Sequence, residues 1–156
     1  MADLRFVAQP SEAVHILCVE PARGECQILE TMLRGTVPEV WRVWGSPSIA
    51  SAESIVRTRE VPVVFCDSHP SSGTWQELLR VLNELPEPPL LVVTSRLADE
   101  RLWAEVLNLG AHDVLAKPYE QTEVSWVVSA GLRCWHRRRE RMPVQAVRAH
   151  GMRAAS

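Results

Sequence analysis

No two of the four cysteines in this chain form a CxxC pair, which argues against both a zinc site and a disulfide framework. Cys18, Cys26, Cys66 and Cys134 read instead as buried, reduced thiols. No uncharged apolar run is long enough to span a bilayer. The opening "MADLRFVAQPSEAV" lacks the apolar core of a signal peptide, so a cytoplasmic protein is expected. There is no internal repeat and no low-complexity segment. Aromatic residues make up only 6% of the chain. Trp75, Trp103 and Trp126 fall at helical spacing and are expected to pack in the core, so no platform for stacking bases is implied.

What is present is an ordinary globular composition, 46% hydrophobic and 23% charged in 156 residues, enough for one domain with its own core. The net charge of −2 conceals an asymmetry. Residues 1–130 carry 10 Lys+Arg against 18 Asp+Glu, whereas residues 131–156 carry 7 Arg against one Glu. The basic end, "RCWHRRRERMPVQAVRAHGMR", is expected to extend the last helix until Pro143 stops it. Arginines there suit the helix dipole, or could meet an acidic partner. It contains no base-reading motif, so DNA binding is not favoured.

Apolar runs alternate with amphipathic segments along the chain. "AVHILCVE" (13–20), "VPVVFC" and "LLVVTS" are continuous apolar strands, "EVWRVW" (39–44) a half-exposed one ended by Gly45 to Ser48, and "DVLA" a short one. Helical spacing places Ile28, Leu29, Met32 and Leu33 together, then Trp75, Leu78, Leu79 and Leu82, then Leu102, Trp103, Val106 and Leu107. "IASAESIVR" reads as a short helix and "QTEVSWVVSAGLRCWHRRR" as a long closing one. Five strands alternating with five helices predict a doubly wound five-stranded parallel sheet in a three-layer α/β/α sandwich, the flavodoxin-like arrangement. Its functional crevice lies at the carboxyl ends of the strands.

Those ends carry chemistry. The first strand ends in Glu20, the third in Asp67, the fourth in Thr94 and Ser95, and the fifth near Lys117. An acid beside an ammonium and a hydroxyl suits a phosphoryl acceptor, because the lysine offsets anionic charge and the hydroxyl donates to a phosphoryl oxygen. Asp67 also opens a turn, "DSHPSSG", where an aspartate can simply bond to its own backbone.

Taken in order, "ILCVE", "VVFCD", "LLVVTS" and "LGAHDVLAKP" resemble the receiver domain of two-component response regulators. The likeness spans roughly residues 13–137, leaving 1–12 as an extension and 138–156 as a basic tail. It implies Asp67 as phosphoacceptor, Lys117 as its charge partner, Thr94 as switch hydroxyl and Ser95 as the small residue that keeps the acceptor accessible. It further implies Mg²⁺ on Asp67, Glu20 and a backbone carbonyl near His69. The implied partners are a sensor histidine kinase or phosphotransfer protein and a downstream protein. No membrane is involved, the domain is not an enzyme in its own right, and a homodimer is left open.

The sequence departs from that pattern in three places. Pro21 stands where the second acid is expected, which weakens Mg²⁺ binding. The loop after Asp67 is two residues short, and Val114 stands where an aromatic switch residue is expected. A pseudo-receiver that binds partners without phosphorylation is therefore the alternative. A cobalamin-binding domain is a remote one: Asp67 and His69 make a D-x-H and "SRL" (95–97) an S-x-L. Against it, Gly73 lies one residue too far, the motif follows the wrong strand, and no Gly-Gly pair follows.

Overall fold

The computed structural model describes residues 13–141. Ten elements alternate along them: β1 (Val14–Val19), α1 (Glu25–Leu33), β2 (Trp41–Ser46), α2 (Ile49–Thr58), β3 (Val63–Asp67), α3 (Trp75–Asn83), β4 (Leu90–Ser95), α4 (Glu100–Asn108), β5 (Asp113–Ala116) and α5 (Gln121–Arg141). All strand pairings are parallel, in the order β2-β1-β3-β4-β5. This is the doubly wound five-stranded sheet that the alternating pattern predicts. The reversal of strand order between β1 and β3 opens the crevice at their carboxyl ends.

The three central strands are apolar over most of their length because both of their faces are covered. Ile16, Phe65 and Val92 meet Leu29 and Leu33 of α1 and Val124, Val128 and Leu132 of α5. On the opposite face Leu17, Val64 and Val93 meet Ala52 of α2, Leu78 and Leu82 of α3 and Val106 of α4. Side-chain caps start four of the helices, Glu120 accepting the Thr122 and Glu123 amides at the start of α5. Ser48 accepts from the Ser51 amide, Thr74 from that of Glu77 and Asp99 from that of Leu102, at 2.9–3.1 Å.

Several details differ from the sequence expectation. Gly45 and Ser46 belong to β2, paired with Cys18 and Val19, so the break begins at Pro47. Leu107 and Ile28 are about half exposed, and Trp126 is 65% exposed. On α5 the buried positions 124, 127, 128, 131, 132 and 135 form one stripe, and residue 126 lies outside it. On α4 only Val106 is fully buried, Leu102 and Trp103 packing at its margin. In keeping with a last helix extended into the basic end, α5 runs to Arg141, the last described residue, while Pro143, the extension and the rest of the tail lie outside the described residues. No helix among the described residues is long and apolar enough to cross a membrane.

Candidate functional site

Asp67 is the last residue of β3, in register with Thr94 at the end of β4. Strand β5 runs alongside, pairing Ser95 with Ala116, and the Lys117 amide donates to the Ser95 carbonyl at 2.9 Å. The Lys117–Pro118 peptide is cis. The lysine ammonium reaches Asp67, with Nζ 3.3 Å from Oδ2. The other carboxylate oxygen, Oδ1, accepts the His69 amide at 3.0 Å. Asp67 thus begins the turn and faces the lysine at once, one function on each oxygen.

Thr94 and Ser95 are both buried at this rim. The Ser95 hydroxyl accepts from Ser68 Oγ at 3.0 Å and from the Leu97 amide at 3.1 Å, which fixes the loop after β4 against the loop after β3. Beside them an open cleft of about 500 Å³, lined by Asp67, Ser68, His69, Ser95, Arg96 and Leu97, leads from solvent to the Asp67 carboxylate. Arg96 adds a guanidinium to the approach of an anion.

Glu20 is engaged elsewhere. Its Oε1 accepts the Ser71 amide at 3.0 Å and the Ser71 hydroxyl, and its Oε2 accepts the Ser72 amide at 3.0 Å and the Ser72 hydroxyl at 2.5 Å. The Ser71 hydroxyl first, then that of Ser72, hold its carboxyl down at about 2. A depressed carboxyl stabilises the fold above its ordinary value of 4.5, and that contribution is lost as pH falls from there toward 2. Thermal unfolding followed over this interval is expected to show a falling melting temperature. Glu20→Gln should flatten part of that fall, and an identical slope in both proteins would refute the assignment.

The donor set does not fit a Mg²⁺ site. Magnesium demands near-octahedral oxygen coordination. Glu20 is spent on four loop donors, and Pro21 has no side-chain oxygen. Pro21 instead packs over β2, where a methyl added to Gly45 would come within 2.8 Å of its Cγ. Among the described residues no three His, Cys, Asp or Glu side chains gather to hold a cation. The positive charge nearest Asp67 is an ammonium.

Two further residues complete the site, and the strand ends did not announce them. Glu25, in the first turn of α1, is nearly buried, and its Oε1 lies 3.3 Å from the same Lys117 Nζ. Its Oε1 also accepts the Ala22 amide at 3.2 Å, and its Oε2 accepts the Tyr119 hydroxyl at 3.0 Å. Burial first, then the charge of Glu25, push the Tyr119 phenol up, so it stays a donor at neutral pH. One signal was available: Lys117 and Tyr119 are the only lysine and the only tyrosine in the chain.

The fold is that of response-regulator receiver domains. Similar solved structures include the signal receiver domain of an HD domain-containing protein from Pseudomonas fluorescens Pf-5, with TM-score 0.66 and 22% identity over 80% of this chain and 98% of that one. A two-component response regulator from Clostridium difficile gives 0.64 and 20%, over 77% and 96%. The chemotaxis response regulator CheY4 of Vibrio cholerae gives 0.64 and 13%, over 76% and 98%. No family model and no curated protein matches the sequence.

Proposed function

We propose that the chain is a receiver in phosphorelay signalling whose Asp67 takes a phosphoryl group from a phosphohistidine of a sensor histidine kinase or phosphotransfer protein. The observation that carries this is the Asp67 carboxylate at the end of β3, 3.3 Å from Lys117 Nζ and open to the cleft. An Asp67 oxygen attacks phosphorus, forming the P–O bond of an acyl phosphate. The P–N bond breaks, and the imidazole nitrogen of the donor leaves with the electron pair. Lys117 stabilises charge on the transferring group, and Arg96 guides the anion in. Thr94 is the hydroxyl placed to sense the product, and Ser95 leaves the approach open. Output passes to a downstream protein.

Intact mass after treatment with a small phosphodonor, with and without Mg²⁺, tests this. One phosphoryl group is expected on the native chain and none on Asp67→Asn. No adduct under either condition, or an adduct that survives the substitution, overturns it. A calorimetric titration with Mg²⁺ alone is expected to give no saturable heat in the micromolar range, because Glu20 and Pro21 provide no ligand.

The clamp on Glu20 and the seat of Pro21 on Gly45 favour a second reading, a phosphorylation-independent interaction module. A partner bound equally well by the native chain and by Asp67→Asn would support it.

A further inference from the structure

Lys117 is shared. One ammonium stands 3.3 Å from Asp67 Oδ2 and 3.3 Å from Glu25 Oε1, so the two carboxylates compete for it. The second competitor is connected onward. Glu25 accepts the Tyr119 hydroxyl, and the Tyr119 ring lies 6.3 Å from that of Phe65 and 5.9 Å from Lys117 Nζ. Val114, at the position where a switching aromatic was expected, is fully buried and has no polar atom to offer. Glu25 and Tyr119 also line one open cleft of about 490 Å³ with Ile28, Met32 and Pro118, so a change in either is felt at the surface between α1 and the start of α5.

We propose that Glu25 and Tyr119 are positioning residues forming a relay, in which Lys117 divides its charge between Asp67 and Glu25 and the Tyr119 hydroxyl follows Glu25. The proposal rests on Asp67 as phosphoacceptor for its trigger, and on the geometry alone for its wiring. A phosphoryl group on Asp67 presents more negative charge than the carboxylate it replaces, and it draws the ammonium from Glu25. Glu25 is then held by the Ala22 amide and the Tyr119 hydroxyl alone, and the phenol hydrogen bond to Glu25 tightens. Coupling of this kind needs two arrangements of one element and a differential contact in each, and the shared ammonium provides both.

Because the chain has a single tyrosine, incorporation of 3-fluorotyrosine gives one ¹⁹F resonance, from Tyr119. Asp67→Asn leaves the ammonium to Glu25 and is expected to move that resonance. In a Glu25→Gln background the same substitution should leave it in place. Movement of equal size in both backgrounds, or no movement in either, overturns the relay. Should Glu25→Gln disturb folding, the single lysine supplies the reciprocal measurement. Tyr119→Phe is expected to shift the ¹⁵N resonance of the Lys117 ammonium, and an unchanged resonance overturns the relay. Phosphoryl uptake is read separately by mass. A chain that takes no phosphoryl group yet shows the coupling loses the proposed trigger and supports the wiring.

Discussion

Lys117→Gln is expected to slow phosphoryl uptake at Asp67 by about 10²–10³-fold, the usual loss when a preorganised charge aimed at a transition state is removed. The expectation is at the upper end because, among the described residues, Lys117 is the one cationic side chain paired with Asp67. Arg96 lies along the cleft, but no ion pair joins it to Asp67 among the described residues. Glutamine keeps the length and a donor while removing the charge, so the loss reports charge. The same substitution strips Glu25 of its cation, although its side chain is only 10% exposed. It retains the Ala22 amide and Tyr119 hydroxyl, so the cost to stability is about 1–3 kcal/mol, below that of a fully buried pair broken on one side. Adding Glu25→Gln should recover part of the stability and none of the uptake. Uptake within tenfold of the native chain in Lys117→Gln, measured as the rate of mass gain, would remove the lysine from the mechanism.

That pair of readouts also marks where sequence reasoning stops. Asp67, Thr94 and Lys117 could be read from the sequence because strands buried on both faces are continuous apolar runs, and their ends are where polarity begins. The strand order then brings those ends together without further information. Glu25 could not be found that way. It is the first residue of a helix, where an acid is ordinarily a favourable end charge, and nothing local shows that its side chain turns back to the lysine. Glu20 illustrates the converse: its place at a strand end was readable, but its four donors come from Ser71 and Ser72, more than 50 residues away. Leu107 and Trp126 were misplaced because an apolar residue adjoining a helical stripe scores like one within it. Only the curvature of the sheet and the neighbouring helix decide how wide the covered stripe is.

Phe65→Ala is expected to destabilise the fold by about 3–5 kcal/mol, the range for deleting a buried aromatic ring, which is a large share of the 5–15 kcal/mol that holds a domain together. Phe65 is 1% exposed in the central strand β3, between α1 and α5, and is among the largest fully buried side chains. Two residues before Asp67, it lies on the opposite side of the pleat from Cys66 and packs a tilted ring against Tyr119. Its loss therefore leaves a cavity beside the ring whose hydroxyl meets Glu25. Phe65→Leu retains most of the volume and should cost far less, while still freeing the phenol from its ring partner. Denaturant unfolding separates the core contribution, and the ¹⁹F resonance of 3-fluorotyrosine at position 119 reports the site. If Phe65→Leu broadens or moves that resonance while stability stays near native, the ring is a wall of the relay as well as part of the core. If stability and resonance both stay native, Phe65 is core packing alone, and Tyr119 is held by its hydrogen bond to Glu25.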